Sequence, residues 1–138
     1  MAHPYVEAFE ARLRDLLYDV DHLLEARHPE LYPRHPNRPA QGETASPQYD
    51  GLFAVSGAFS AGIGSEHGPG YVLEIRIATL ASVPAETKRR IQDEAVLEIR
   101  KRFPKFFPAR RLDVVRDGDL LKVVGDLGVR PVDERVNE

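Results

Sequence analysis

Apolar side chains recur at spacings of three and four residues in two segments of the chain, which is the pattern of an amphipathic helix. The first segment covers residues 4–28 and the second covers residues 84–103. We expect Pro29 and Pro104 to end these helices, because a proline inside a helix removes a backbone hydrogen bond and clashes with the preceding turn. The polar face of the first helix, which we expect to contact water, consists of Glu7, Glu10, Arg14, Asp15, Asp21 and Glu25.

Two further segments, residues 52–63 and 71–78, alternate between two kinds of side chain, as a strand with two different faces does. The glycines and proline between them predict that the two strands form a hairpin. The bulky face of this hairpin carries Phe53, Val55, Phe59, Leu73, Ile75 and Ile77. The opposite face, called here the small-residue face, carries Ala54, Ser56, Ala58, Ser60, Glu74 and Arg76.

Residues 112–124 predict a second hairpin, because alternating apolar positions flank an Asp-Gly pair at 117–118. Asp-Gly suits a type I′ turn, in which both central residues need positive φ. The register expected from this turn pairs Arg116 with Asp119, Val115 with Leu120, Val114 with Leu121, Asp113 with Lys122 and Leu112 with Val123. Both charged pairs then join opposite signs, so the pattern and the turn agree.

These elements follow one another in the order α-β-β-α-β-β, which favours an α+β two-layer sandwich. We expect a four-stranded, mainly antiparallel sheet with both helices on its bulky face. The length of 138 residues fits one domain, placed at residues 1–128, with a charged C-terminal tail at 129–138. Residues 29–50, rich in proline, are expected to form an extended surface loop without regular structure.

The composition excludes several classes of protein and of chemistry. Hydrophobic residues make up 42% and charged residues 30%, which is ordinary for a globular domain. No apolar run approaches the roughly 18 residues that a membrane-spanning helix needs, so a cytoplasmic protein without membrane contact is expected. The absence of cysteine excludes disulfides, thiolate nucleophiles and thiolate metal sites.

No motif in the chain indicates a catalytic residue, a cofactor or a metal. The glycines between residues 57 and 70 precede a strand rather than a helix, which argues against a phosphate-binding loop. The five histidines lack the spacing of a helical zinc site, and residues 117–119 lack the closing glutamate of a calcium loop. An enzyme is therefore the less favoured interpretation.

The distribution of charge is uneven, although the net charge is only −3. Residues 88–111 carry nine basic and three acidic side chains, a balance of +6, so the rest of the chain carries −9. Such asymmetry can pair two copies of a molecule or attract an anionic partner. We therefore expect an interaction module that forms a homo-oligomer or binds a protein partner. The contact would use the small-residue face, namely Ala54, Ser56, Ala58, Ser60, Glu74 and Arg76, or an exposed hairpin edge.

Two alternative functions remain open from the sequence. Residues 100–111 mix cations with phenylalanines, as nucleic-acid or polyanion sites do, although a solvated basic face over buried phenylalanines is the favoured explanation of the pattern. The cations of this segment are Arg100, Lys101, Arg102, Lys105, Arg110 and Arg111. The second alternative places a small-molecule or hydrolytic site under the loop 29–50, near His35, Tyr49 and the turn at 65–70.

Overall fold

The computed structural model describes residues 4–47, 49–60, 70–117 and 120–125, with the side chains of the first helix described from residue 7. Two helices and four strands follow in the predicted order α-β-β-α-β-β, which confirms the α+β class. Their bounds are α1 Pro4–Arg27, β1 Phe53–Ser60, β2 Gly70–Ile77, α2 Ala85–Phe106, β3 Leu112–Asp117 and β4 Leu120–Gly125. The predicted tail at 129–138 lies outside the described residues.

The four strands form one antiparallel sheet in the order β1-β2-β4-β3, so β1 and β3 are its edges. Strand β1 pairs with β2 over its whole length, from Phe53 opposite Ile77 to Ser60 opposite Gly70. Each large side chain of β1 thus lies beside a large side chain of β2. This register keeps the bulky face of the first hairpin continuous, as the alternation predicts.

The register predicted for the second hairpin is wrong by two residues. Val114 lies opposite Val123 rather than Leu121, and Asp117 pairs with Leu120 as the last residue of β3. The connection is therefore at residues 118–119, which lie outside the described residues. A shift of two residues returns every side chain to its own face, so the apolar alternation cannot distinguish the two registers.

The shifted register also changes the ion pair of Lys122. Its ammonium lies 3.0 Å from the carboxylate of Asp117 instead of pairing with Asp113, and its side chain is buried across Gly70. A Cβ on Gly70 would lie 2.7 Å from Cγ of Lys122 and 2.5 Å from the carbonyl oxygen of Val123. Glycine at this position therefore makes room for a buried lysine.

The core lies between the bulky face of the sheet and both helices. It includes Phe9, Leu13, Leu16, Leu17, Val20 and Leu24 of α1, Ile91, Ala95, Ile99 and Phe103 of α2, and Phe53, Val55, Leu73, Val114 and Leu121 of the sheet. Two expectations fail at β1. Phe59, expected in the interior, is 58% exposed, and Ala54, expected on an open face, is buried.

Both helices depart from the prediction at one point. Helix α2 continues through Pro104 to Phe106. The last turn forms because Phe103 and Phe107 are buried on either side of the proline, and the N–H of Phe107 donates to the carbonyl of Phe103 at 2.7 Å. In α1, the carboxylate of Asp21 is buried rather than solvated. Within the described part of the chain, neither helix is long and apolar enough to cross a membrane.

Candidate functional site

Helix α1 lies along the first half of the edge formed by β1. The carboxylate of Asp21 accepts a hydrogen bond from the backbone N–H of Val55 at 3.2 Å. The carboxylate of Glu25 accepts one from the N–H of Phe53 at 2.8 Å. Because Asp21 and Glu25 are four residues apart, they share one face of the helix. They therefore cap outward N–H groups that an edge strand otherwise leaves without a partner. We call residues 53–55 the capped half of β1.

Arg38, in the loop before β1, completes this cap. The carbonyl of Phe53 points outward beside the capped N–H, and the guanidinium of Arg38 donates a hydrogen bond to it at 3.1 Å. The same group donates to the carbonyls of Gly51 at 2.7 Å and Asp50 at 2.9 Å. One arginine thus ties the loop to the strand. The loop 29–50 contains no helix or strand among its described residues, and more than half of these are exposed, as expected of a surface loop; bonds from Arg38 and from the N–H of His35 nevertheless attach it to the sheet.

Asp50 organises the same loop from within. Its buried carboxylate accepts hydrogen bonds from the N–H groups of Gly42 and Thr44 and from the hydroxyl of Thr44. Tyr18 of α1 adds a contact between its hydroxyl and that of Ser46 at 2.7 Å. These bonds fix a proline-rich segment that has no periodic apolar pattern.

Asp21 is held in an environment that disfavours its charge. Only 1% of its surface is exposed, and its Oδ1 has no hydrogen-bond partner among the described residues. Burial, followed by repulsion from Glu25, raises the pKa of Asp21 from 3.8 to about 8, although the N–H of Val55 opposes the shift. Burial also raises the pKa of Glu25. Asp21 is therefore mostly protonated at neutral pH. Because it is sealed from solvent, we interpret it as a structural cap rather than as a catalytic acid.

No side chain in the described part of the chain caps the second half of β1 in this way. Backbone groups alternate in direction along a strand, so the N–H and C=O groups of Gly57 and Phe59 point outward as those of Phe53 do. Within residues 4–47, 49–60, 70–117 and 120–125, nothing bonds to these four groups. We call residues 57–59 the open half of β1.

A groove of about 280 Å³ runs beside this open half, between β1 and α1. Leu13 and Leu17 form its apolar wall, and Glu10 and Arg14 stand on its rim. Its other lining residues are Tyr18, Val55, Ser56, Gly57, Ala58, Phe59 and Tyr71. Phe59 is anchored at one end, where its ring packs edge-on against Tyr71 with 5.6 Å between the centroids. The groove therefore joins a strand edge that no described residue pairs with to an exposed aromatic ring.

The structure places the residues predicted for the small-residue face on one face of the β1–β2 hairpin, with Ala54 opposite Arg76 and Ser56 opposite Glu74, but their exposure differs. Ala54 is buried, Ser56 and Ser60 are partly buried, and Ala58, Glu74 and Arg76 are exposed to different degrees. Arg76 lies close enough to Arg38 for the repulsion between them to lower the pKa of Arg38, after the larger effect of burial. The face is therefore not one uniform surface. Its exposed small residue, Ala58, belongs to the open half of β1.

Part of the charge of the basic segment is neutralised within the protein, by the carboxylates of Asp113 and Glu98. Arg100 lies 2.7 Å from Asp113 and donates to the carbonyl of Val114 at 2.6 Å. Lys101 and Arg102 both contact Glu98, at 3.3 and 2.8 Å. The hydrogen bond from Arg102, together with that from Lys101, lowers the pKa of the Glu98 carboxyl to about 2.

The remaining cations of this segment lie near aromatic rings or in solvent. Lys105 lies 5.6 Å from the ring centroid of Phe106, and Arg110 lies 4.9 Å from that of Phe9. Arg111 is exposed. The phenylalanines at 103 and 107 are buried and cannot stack on bases. The geometry gives nucleic-acid binding less support than the sequence does.

The residues suggested for a site under the loop come partly together. His35 and Tyr49 line one cavity with Arg38 and Arg76. The third part of that prediction, the turn at 65–70, lies outside the described residues except for Gly70, which begins β2. Sequence reasoning missed Arg38 and the buried Asp21, although Asp21 stands four residues after Leu17 and three before Leu24, which is a core spacing.

The fold and the site together define a small α+β domain whose antiparallel sheet has one edge that is half capped. The chain belongs to a family described as "Uncharacterised protein", whose model matches residues 4–125. An uncharacterized protein of Borreliella burgdorferi (strain ATCC 35210 / DSM 4680 / CIP 102532 / B31) is 38% identical over 117 residues, which cover 85% of this chain and 91% of that protein. No solved structure matches the chain significantly.

Proposed function

We propose that the protein is an interaction module that self-associates through the open half of β1. The observation that carries this proposal is the set of outward backbone groups of Gly57 and Phe59, which have no partner among the described residues and lie beside an apolar groove. An edge strand of this kind readily accepts another strand. The occupant that fits it best is the same strand of a second copy.

The sequence of the open half is complementary to itself. When two antiparallel copies of β1 meet with Ala58 at the two-fold axis, Gly57 of each copy lies opposite Phe59 of the other. Glycine has no side chain, so the exposed ring of Phe59 can lie over it. Four backbone hydrogen bonds then join the two strands, since each Gly57–Phe59 pair exchanges two.

The charges on the rim of the groove also suit a two-fold arrangement. Glu10 and Arg14 are one helical turn apart, and Glu10 accepts a hydrogen bond from the hydroxyl of Tyr71 at 3.2 Å. Arg14 is exposed and has no acceptor among the described residues. Two copies of α1 related by this axis run in opposite directions, so Arg14 of one copy can approach Glu10 of the other. The contact is small, and we expect a weak dimer.

The chain has no cysteine, which allows a direct test of the axis. Ala58→Cys should form a disulfide between two copies under mild oxidation, because opposed residues of a pair that is not hydrogen-bonded have Cα atoms about 4.5 Å apart. Leu97→Cys, at an exposed site on α2, is the matched control and should stay mostly monomeric. Equal yields of dimer from both variants would count against the predicted axis.

Sedimentation velocity over a range of protein concentrations tests the interaction without a cross-link. The wild-type mass should rise with concentration towards that of a dimer, and Phe59→Lys should abolish this rise by placing a charge at the strand edge. Leu97→Lys is the control, because Leu97 is 56% exposed, nearly as much as Phe59. A wild-type protein that stays monomeric at high concentration in both low and moderate salt would refute self-association. A dimer that Leu97→Lys abolishes and Phe59→Lys does not would refute this edge.

A further inference from the structure

A second recessed surface lies between the loop 29–50 and the end of β2, away from the groove beside α1. Its volume is about 400 Å³, which is within the range of small-molecule sites. The lining residues are His35, Asn37, Arg38, Pro39, Tyr49, Arg76, Ile77, Ala78 and Thr79. The described wall of the cavity therefore contains two guanidinium groups and no carboxylate, so we call it the basic cavity.

The two arginines differ in what holds them. Arg38 is fixed by backbone carbonyls, which accept its hydrogen bonds without neutralising its charge. The side chain of Arg76 is not fixed in this way, because no acceptor among the described residues lies within bonding distance of it. Like charges at one cavity repel each other, and an anion between them would relieve this repulsion.

Three acidic groups, Asp21, Asp50 and Glu25, lie near Arg38 and offset part of its charge, but each is engaged elsewhere in the fold and lies outside the cavity. The carboxylate of Asp50 is occupied by three donors of its own loop. Glu25 is used to cap β1. The pKa of about 8 keeps Asp21 mostly protonated at neutral pH. None of these carboxylates lines the cavity.

Two neutral side chains add donors to the same wall. The Nδ1 atom of His35 accepts a hydrogen bond from the N–H of Asn37 at 3.1 Å, so in the neutral ring the proton is carried by Nε2. The main chain of His35 is fixed in turn by the bond from its N–H to the carbonyl of Ala78 at 2.8 Å. The Thr79 hydroxyl oxygen accepts a bond from the N–H of Ala81 at 3.1 Å, which leaves its hydrogen to donate. The cavity is therefore rich in donors.

We propose that the basic cavity binds a small molecule through an oxyanion group, either a phosphate or a carboxylate, held by Arg76 and Arg38 with His35 and Thr79 as neutral donors. Bonds from guanidinium to oxyanions are among the stronger hydrogen bonds in proteins. The phenol of Tyr49 and the side chain of Ile77 offer surface to the rest of such a ligand. This site is independent of the strand edge proposed for self-association.

Titration of the full chain with inorganic phosphate and, separately, with succinate tests this site. Ionic strength is held constant with sodium chloride, and binding is followed by amide chemical shifts. At least one of the two anions should cause saturable changes centred on the amides of His35 and Thr79. The anion that binds more tightly identifies the group that the cavity prefers.

Arg76→Gln should weaken this binding about tenfold or more, because it removes a charged donor. Arg76 makes no hydrogen bond or ion pair within the described residues and repels Arg38, so the variant should melt no lower than the wild type. Arg111→Gln, which makes the same change of charge at the far edge of the sheet, should bind as the wild type does. The proposal is overturned if neither anion gives saturable changes, or if both variants bind with the same affinity.

Discussion

Replacing Asp21 by asparagine tests the cap on β1 through the pH dependence of stability. The pKa of Asp21 is raised from 3.8 to about 8 in the folded chain, so between these values the folded state holds a proton that the unfolded state has released. The stabilisation from this proton is complete below pH 3.8 and is lost as the pH rises through about 8. The loss is about 1.4 kcal/mol for each pH unit, or about 4 kcal/mol between pH 5 and pH 8.

A change of this size is a large part of the 5–15 kcal/mol that is typical of a whole domain, between about a quarter and four fifths of it. An asparagine at this position would resemble the protonated acid in shape and charge, and its oxygen would still accept the hydrogen bond from Val55. The free energy of unfolding of Asp21→Asn should therefore fall much less between pH 5 and pH 8. The variant should also be more stable than the wild type at pH 8.

Urea unfolding at several pH values measures this difference. Asp15→Asn is the control, because it removes one carboxylate at an exposed position on the same helix and leaves Asp21 in place. Its free energy of unfolding should follow the wild-type pH profile. Carboxyl carbon shifts of Asp21 report its titration independently of unfolding. Parallel stability profiles for Asp21→Asn and the wild type would falsify the reasoning, because they would mean that Asp21 carries its charge throughout.

Three further changes test the packing around this edge and the helix pair. Gly70→Ala should destabilise the fold by about 1–3 kcal/mol in urea unfolding, because the new Cβ meets the side chain of Lys122; wild-type stability would contradict the packing of that lysine. Arg38→Lys should destabilise by about 2–4 kcal/mol, since an ammonium cannot reproduce the planar donor fork, and amide exchange at Phe53 should accelerate. The pKa of Glu98 is lowered from its ordinary value of 4.5 to about 2 in the folded chain. The charged carboxylate therefore stabilises the fold fully above pH 4.5, and this stabilisation is lost as the pH falls towards 2. Glu98→Gln should flatten this acid limb in circular dichroism, and an unchanged acid limb would show that the ion pairs contribute nothing.

The elements of the fold could be predicted because helical and extended backbones impose fixed periods on the side chains that they bury. The spacing from Leu13 to Leu24 and the alternation from Phe53 to Val55 are direct consequences of backbone geometry. The register of the second hairpin could not be predicted in this way, because Leu121 and Val123 lie on the same face and satisfy the alternation equally well.

The residues of the candidate site were harder to predict from the sequence than the elements of the fold, for a different physical reason. A charged residue is assigned to the surface because burying it is unfavourable unless it is paired or neutralised. Asp21 can be buried because its raised pKa keeps it protonated and because its side chain accepts a hydrogen bond from the N–H of Val55. Both effects depend on a strand that lies 34 residues away in the sequence. Arg38 stands in a segment without periodicity, where no pattern relates it to the carbonyls that it contacts.

The boundary between the capped and open halves of β1 follows from the repeats of the two elements. Four residues of a helix rise about 6 Å, and two residues of a strand rise about 6.7 Å, so a helix antiparallel to a strand meets successive outward N–H groups every fourth residue. Glu25 serves Phe53, and Asp21 serves Val55. The next position in this series is Leu17, whose Cδ1 lies 3.6 Å from where a Cβ on Gly57 would stand. A leucine offers no acceptor, so the series of caps stops there, and the edge opens at the residue for which a second copy of the strand is proposed.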